Sequence, residues 1–338
     1  MKKKLLRLLP KPIADIAKVF KRTWLLVASY MYDFWRYYRF SSSVFRGNSE
    51  EKLRALITAQ YHSIEKGLSL RDPRPGFGSD AIKELTEHIT LYLKRYGPAK
   101  HLSVPLNVLR CYIDYNHTHG IENTELKQCL TEFEQVYRKI LGLLPPGGGL
   151  RKLTREEVMH ATQGVGADFF MKRYSIRQFS DEDVPMELIE EAVRRAQKTP
   201  AVCNRQSGRV WVVSGSDNVK RILDIQKGTR GFGQSVNKVL VITSDLCNFQ
   251  SYERYQSWVD GGLFAMSLVY ALHSLGLGTC CLNWSVEYAR DILLKRFLKM
   301  SQSETIIMLL AVGMLPQELM VAESCRKPLS EVLVTYES

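Results

Sequence analysis

The segment LPPGGGL, residues 144–150, is the feature that most limits how this chain folds. Two prolines and three glycines in close succession cannot continue a helix, so the chain must break there. Apolar residues recur at helical spacing before the break, whereas short β-branched runs follow it. A chain of 338 residues is also longer than one core usually needs. We therefore expect a basic, aromatic-rich arm (1–47), a helical module (48–143), a Pro/Gly linker (144–150) and a mixed domain (151–338).

The helical module contains three amphipathic segments after its first helix. They cover residues 79–97, about 105–115 and 123–141, with Ser79 and either Asn123 or Thr124 as N-terminal caps. His62 and Glu65 lie three residues apart, so they share a helix face and form half of a potential metal site. The sequence offers no second ligand pair, which favours a capping or solvated role for both side chains. We predict no metal site.

After the linker, the pattern changes to alternating helices and strands. A helix begins at Pro185, and an apolar helix over 260–275 is expected to be buried in a core or at a subunit interface. His273, near the end of that helix, is expected to be held structurally and not to act as a base. The predicted strands are 208–215, 237–245, 279–284 and 305–315, with helices at 217–227 and 286–298. This pattern predicts an α+β fold in which helices flank a mixed sheet.

The charge of the chain is concentrated in the arm. The formal net charge is +12, and residues 1–47 alone hold eleven Lys or Arg against two Asp. The remainder is nearly neutral, which argues against a nucleic-acid-binding face. The longest uncharged run of the arm, Thr23–Tyr32, is about half of the roughly 20 residues that a membrane-spanning helix needs.

Two interpretations of the arm remain open. It forms an amphipathic helix on an anionic membrane surface, or it docks its apolar stripe on this protein's own core or on a second subunit. The second is favoured because Pro10 and Pro12 interrupt the early part and the aromatic residues are not confined to one clear face. Seven cysteines without a CxxC pair indicate reduced thiols in the cytosol, with Cys280 and Cys281 as buried small residues. The expected location is cytoplasmic, with or without peripheral contact at the inner face of the membrane.

The stretch MKRYSIRQF, residues 171–179, carries Lys172, Arg173 and Arg177 around Ser175. Like charges this close repel one another unless an anion lies among them. Guanidinium groups bind phosphate oxygens bidentately and a serine hydroxyl adds a donor, so this stretch predicts a site for an organic phosphate. A solvated basic loop is the alternative. The chain has no GxSxG elbow, Walker-type phosphate loop or HExxH motif.

Five segments together resemble the FMN-dependent nitroreductase family over about residues 165–335. In order, they are KRYSIRQF, TPAVCNRQ, LGLGTCCLNW, LLAVGM and CRKPLSEVL. The resemblance implies a nitroreductase-like fold and an intertwined homodimer with FMN at its interface. It also implies a ping-pong oxidoreductase that takes hydride from NADH or NADPH and reduces a small acceptor. The flavin carries this chemistry, so no side chain is expected to be a catalytic acid or base.

The resemblance also assigns roles to particular residues. Those expected to contact FMN are Arg173, Ser175, Arg177, Pro200, Ala201, Cys203, Asn204, Leu282, Asn283, Trp284, Arg326 and Lys327. The first three and the last two would hold the phosphate and the pyrimidine edge of the ring, and residues 282–284 would lie against the isoalloxazine. Where many members of the family continue with Gln-Pro-Trp, this chain has Gln206, Ser207 and Gly208. This departure predicts a remodelled pocket wall and leaves the acceptor open.

The family resemblance does not account for residues 1–150. A second functional hypothesis is therefore a non-catalytic, flavin-binding accessory protein of membrane-associated cell-envelope or polysaccharide assembly. In that hypothesis, the helical module and the basic arm supply the activity.

Overall fold

The chain folds into a helical N-terminal part and a C-terminal part built around one antiparallel sheet. The computed structural model describes residues 10–42, 49–152, 154–322 and 324–336. The predicted α+β class is confirmed. No helix among these residues combines the length and the apolar composition that crossing a bilayer requires.

The described residues of the N-terminal part form five α-helices. They are α1 (Lys11–Phe40), α2 (Glu50–Leu68), α3 (Ser79–Tyr96), α4 (Ser103–Thr118) and α5 (Thr124–Leu141). The three predicted segments correspond to α3, α4 and α5, although α4 is longer than expected. Ser79 is the first residue of α3 and not its cap; the cap is Gly78, whose φ of 70° lies in the left-handed region that favours glycine. Asn123 precedes α5 but its side chain accepts from Asn116 and leaves the helix end uncapped.

The linker packs against the helical module. The Gly149 amide donates to Glu65 Oε1 at 2.9 Å, and Asn107 Nδ2 donates to the carbonyls of Pro145 and Gly147. The other carboxylate oxygen of Glu65 lies 3.2 Å from Nδ1 of His62. The described residues contain no group of three His, Cys, Asp or Glu side chains arranged to hold a metal. Glu65 thus ties the linker to α2 and contacts His62, whereas a capping or solvated role was expected for both side chains.

The C-terminal part contains four strands, in the order β1-β2-β4-β3, and all neighbours are antiparallel. The strands are β1 (Gly208–Ser214), β2 (Lys238–Asp245), β3 (Leu277–Asn283) and β4 (Glu304–Met314). The helices are α6 (Arg155–Ala161), α7 (Ala167–Met171), α8 (Met186–Ala196), α9 (Ser216–Gln226), α10 (Gln256–Ser274) and α11 (Tyr288–Leu298). All four predicted strands are present within three residues of their expected limits, as is the helix that follows Pro185.

Helices cover both faces of the sheet. One apolar core lies between the sheet and α9 with α11, and the other lies between the sheet and α8 with α10. Gly261 allows α10 to approach closely, because a Cβ there would lie 2.5 Å from the side chain of Ile307. Along β3, Cys280 is buried as predicted, but Cys281 points to the other face and is exposed. The alternation of a strand places neighbouring side chains on opposite faces, so both could not share one environment.

The outer face of α10 is not covered by the described residues of this chain. The helix was predicted to be buried in a core or at a subunit interface, and within this chain Trp258, Val259, Leu263 and Met266 are between 37% and 50% exposed. They follow one another at the spacing of a single helix face. The sheet thus buries one side of α10, and an apolar stripe remains exposed on the other side.

The arm does not dock its apolar stripe on the protein's own core, so this part of the favoured interpretation is wrong. Helix α1 contacts the C-terminal part through polar side chains, of which Arg36 is buried and Tyr32 is half-buried. Arg36 donates to the carbonyls of Gln302 and Glu304 at 2.8 and 2.6 Å. The large apolar residues of α1 face outward instead.

We expect the stability of the helical module to fall as the pH decreases from about 6.5 to 4. Burial lowers the pKa of His101 from 6.5 to about 4, and its Nε2 has no hydrogen-bond partner among the described residues. Its ring packs edge-on against Tyr92, with the centroids 5.0 Å apart. Within this pH window the unfolded chain binds more protons than the folded chain, so acid favours unfolding. Above it, the contribution of neutral His101 is fully present.

His101→Phe should therefore reduce the change in urea midpoint between pH 7 and pH 5. The exposed His160 provides a matched control, because His160→Phe should leave that change as it is in the wild type. An equal pH dependence in the wild type and in His101→Phe would show that this imidazole is not responsible.

Candidate functional site

Arg173, Ser175 and Arg177 lie on one face of an extended segment that runs beside the edge strand β3. Ser175 forms a bridge with Thr279, and the Ile176 amide donates to the Thr279 carbonyl at 2.8 Å. Side chains alternate along an extended segment, so the two arginines and the serine share a face while Ile176 turns into the core. The sequence pattern of alternating basic and apolar residues produces this arrangement directly.

The positive charges of Arg173 and Arg177 influence the pKa of two cysteine thiols on β3. Burial raises the pKa of the Cys280 thiol, and the positive charge of Arg177 opposes that rise. Cys281 is exposed by surface area, yet desolvation by its neighbours raises the pKa of its thiol too, and the charge of Arg173 opposes that rise. Neither arginine forms an ion pair with any described residue, and Arg177 only donates to the Ser175 carbonyl at 3.4 Å. Among the described residues, Arg173 and Arg177 thus have no carboxylate partner, and both belong to a segment that pairs with the edge of β3.

The second predicted group, Pro200 to Asn204, forms a strained loop before β1. Cys203, Asn204 and Gln206 have φ values of 47°, 52° and 49°. This left-handed region is uncommon for residues other than glycine, although asparagine tolerates it, and each such residue costs on the order of 1–3 kcal/mol. Strain of this size persists only where the surroundings hold the loop in place.

Two acidic side chains from the region of α10 hold that loop. Asp260 Oδ2 accepts the Val202 amide at 3.1 Å, and burial raises the pKa of this carboxyl. Arg205, within the loop, forms a buried ion pair with Glu253 at 2.5 Å. Sequence reasoning did not identify Arg205, Glu253 or Asp260. The available signal was Asp260 itself, a lone acid at the start of an otherwise apolar helix.

The loop also forms one wall of a cavity of about 130 Å³. Gln206, Ser207 and Gly208, where this chain departs from the family pattern, line the cavity together with Asp260 and Phe264. A Cβ at Gly208 would come within 2.8 Å of the Phe264 ring, so glycine is required there by close packing. The wall is therefore built from small and polar groups next to one aromatic ring.

The structure does not bring the basic segment around Ser175 and the strained loop before β1 together within one chain. The basic segment lies beside β3 and the strained loop leads into β1, and these strands form opposite edges of the sheet. Three strand spacings separate the edges, or roughly 14 Å. Any ligand that contacts both groups must reach them from two different chains or extend across the sheet.

The third predicted group is Leu282 to Trp284, and the fourth is Arg326 with Lys327; the two groups lie in different surroundings. Leu282 and Trp284 are buried in the core, and Trp284 Nε1 donates to Asp291 Oδ1 at 2.9 Å, so only Asn283 of the three is open to a ligand. Within this chain the side chains of Leu282 and Trp284 are therefore largely inaccessible to a ligand, whereas that of Asn283 is exposed.

Arg326 and Lys327 lie in an exposed C-terminal tail. Arg326 donates to the Ser324 carbonyl and Lys327 pairs with Glu331. No hydrogen bond or ion pair in the described part of the chain joins them to Arg173, Ser175 or Arg177. The tail does pass near the basic segment, since the Met320 amide donates to Gln178 Oε1 at 3.0 Å.

His273 has the structural role that its position predicts. Its Nε2 lies 2.9 Å from the Phe169 carbonyl, and its ring packs against that of Phe169. This contact ties α7 to the end of α10, immediately before the basic segment begins. The interpretation of His273 as a satisfied structural residue is confirmed.

One family model matches residues in the C-terminal part of the chain. Residues 170–230 and 249–314 match the nitroreductase family. An FMN-dependent nitroreductase from Clostridium difficile R20291 is 20% identical, with a TM-score of 0.40 over 46% of this chain and 90% of its own. A putative nitroreductase in complex with FMN from Desulfovibrio desulfuricans is 21% identical, with a TM-score of 0.41 over 51% of this chain and 96% of its own.

A putative NADH oxidase from Clostridium acetobutylicum is 19% identical, with a TM-score of 0.44 over 50% of this chain and 100% of its own. No curated protein matches the chain. The basic segment, the strained loop and strands β1, β3 and β4 all fall within the matched residues. Residues 170–230 and 249–314 of this chain thus match the nitroreductase family, and helices α1 to α7 begin before that match.

Proposed function

We propose that this protein is an FMN-dependent oxidoreductase that takes hydride from NADH or NADPH and reduces a small acceptor in a ping-pong cycle. The observation that carries the proposal is the pair Arg173 and Arg177 on one open face beside Ser175, with no carboxylate partner among the described residues. Guanidinium groups can bind a phosphate group through paired hydrogen bonds to its oxygens. The surrounding residues match the nitroreductase family, which supports FMN as the molecule that carries this phosphate group.

The residues present fit FMN as two separate half-sites. Arg173, Ser175 and Arg177 would hold the phosphate, and the backbone of Pro200 to Asn204 would contact the ring system. When bound, FMN supplies the acceptance and release of hydride. The chain itself binds and orients: its cations stabilise negative charge, and Asp260 and Glu253 keep the loop rigid. No side chain is required as an acid or base.

A homodimer is part of this proposal. The basic segment and the strained loop lie at opposite edges of one sheet, so two copies would unite the half-sites of different chains. The exposed apolar stripe of α10, formed by Trp258, Val259, Leu263 and Met266, supplies a surface for such pairing. Trp258 also lines a small cavity together with Trp284 and with residues of α1, among them Tyr32 and Arg36.

The test is the visible spectrum of the purified protein, followed by anaerobic addition of NADH or NADPH. We expect flavin absorbance, which bleaches on reduction and returns when an acceptor is added. A colourless protein that takes up no added FMN would contradict the proposal.

A non-catalytic accessory role is the second candidate, favoured by the size of the part that lies outside the family match. The described residues before 170 form a helical module and a long amphipathic helix that flavin chemistry does not need. Flavin that binds but stays oxidised in the presence of NADH and NADPH would support this role over the enzyme.

A further inference from the structure

We propose that α1 is a peripheral membrane anchor whose outward face lies in the surface of an anionic bilayer. This inference concerns a part of the chain that the proposed oxidoreductase does not use. It rests on how α1 is attached to the protein, on how its residues are arranged around the helix, and on its charge.

The attachment of α1 orients the helix with its apolar side outward. Arg36 and Tyr32 are on the inner face, where Tyr32 donates to Asp291 Oδ2 at 2.8 Å and Arg36 donates to main-chain carbonyls and to Thr305 Oγ1. Just beyond the helix, the Ser42 amide donates to the Phe249 carbonyl at 2.8 Å. Turning the apolar side inward would break these bonds and leave Arg36 without partners. The outward orientation is thus enforced by buried polar contacts.

The residues of α1 divide into two arcs. At 3.6 residues per turn, the exposed large apolar side chains occupy roughly 180° of the circumference, and every charged side chain falls in the remainder. The apolar arc consists of Ile13, Ile16, Val19, Phe20, Trp24, Leu26, Val27, Tyr30, Met31, Phe34, Trp35 and Tyr38. Phe20 at its centre is 73% exposed. An arc this wide is broader than the seam by which one helix pairs with another.

The distribution of aromatic and basic residues fits a membrane surface. Trp24 and Trp35 lie at one border of the arc and Tyr30 lies toward the other, while Phe20, Phe34 and Tyr38 lie nearer its middle. Tryptophan and tyrosine favour the level of the lipid headgroups. Lys21 and Arg22 lie just beyond the two borders, where long basic side chains can reach lipid phosphates. The arm as a whole has eleven Lys or Arg against two Asp, so its charge complements an anionic lipid surface.

The length of α1 also fits a helix that lies on a membrane surface. A helix of 30 residues is about 45 Å long. Interfacial helices are often 20–30 residues long, with a basic polar face and an apolar face that contains tryptophan and phenylalanine. The charges of α1 and the absence of any bilayer-crossing helix among the described residues make it a helix that lies on a membrane and does not span it.

Vesicle co-sedimentation of the full-length protein tests the proposal. We expect the wild type to pellet with vesicles of 70% phosphatidylcholine and 30% phosphatidylglycerol, and to bind at least tenfold less to pure phosphatidylcholine. Phe20→Glu/Phe34→Glu should lower binding at least tenfold. Ile140→Glu/Leu143→Glu makes the same charge change at two exposed apolar residues outside α1, and it should bind as the wild type does.

A wild type that stays in the supernatant with the anionic vesicles would overturn the proposal. So would vesicle binding by Phe20→Glu/Phe34→Glu equal to that of the wild type. Sedimentation velocity on the same samples tests whether a second copy of the chain covers this face instead of a membrane. An oligomer that dissociates in this variant, with vesicle binding unchanged, would assign the face to a second copy of the chain.

Discussion

Replacing Arg173 and Arg177 together with alanine should lower the affinity for FMN at least a hundredfold. Hydrogen bonds to a charged group contribute about 1.5–3 kcal/mol each, so losing one from each arginine amounts to about 3–6 kcal/mol. Both side chains are on an open face and neither forms an ion pair with a described residue, so the fold should tolerate the change. Flavin fluorescence titration of the apoprotein measures the affinity directly.

A matched control is available on α8. Arg194 and Arg195 are two exposed arginines that pair with Glu191, and they lie outside the proposed site. Arg194→Ala/Arg195→Ala removes the same charge and should bind FMN with wild-type affinity. If the variant that lacks Arg173 and Arg177 retained full affinity, these side chains would not hold the phosphate, and the solvated-loop interpretation would stand.

Arg205→Met should lower the free energy of unfolding by about 3–5 kcal/mol, because it leaves Glu253 as an unpaired buried charge. The Arg205 and Glu253 side chains are 2% and 8% exposed, so water cannot replace the lost partner. Removal of Arg205 also releases the strained residues Cys203, Asn204 and Gln206. Urea unfolding followed by circular dichroism measures the change.

The double variant Arg205→Met/Glu253→Met isolates the cause. Once both charges are removed, most of the lost stability should return, since a buried ion pair contributes little more than an apolar pair of similar size. Arg209 is a suitable comparison, because it also pairs with acids but is half exposed. Arg209→Met should have a much smaller effect. A double variant as unstable as Arg205→Met would show that packing around Arg205 and not charge is responsible.

Elements with strong local periodicity were predictable from the sequence. Strands β1, β2 and β4 are runs of branched and aromatic residues bounded by turn formers, and they appear close to their expected limits. The order of the strands was not predictable, because antiparallel neighbours such as β2 and β4 are separated in the chain by α10, β3 and α11. Pairing across such distances depends on which apolar faces meet, and that is a property of the whole domain.

The candidate site, too, was predictable from the sequence only in part. The sequence predicted a basic segment around Ser175, and the structure places Ser175 in a bridge with Thr279 beside β3. The burial of Leu282 and Trp284 was missed because a β-strand sequence alone does not reveal which face the α9–α11 layer covers. The acids that hold the strained loop were missed for a related reason. Glu253 and Asp260 are distant from Arg205 and Val202 in the chain and meet them only through the packing of α10.

The sequence by itself determined the α+β class, the position of most helices and strands, and the basic segment around Ser175. These features depend on residues that are close together in the chain, where periodicity and side-chain chemistry act locally. Only the tertiary structure decided that α1 turns its apolar face outward and that the two predicted half-sites lie at opposite sheet edges. The physical reason is that an amphipathic helix has two faces, and the sequence does not say which of them the rest of the protein will bury. In α1 the polar contacts of Arg36 and Tyr32 made that choice.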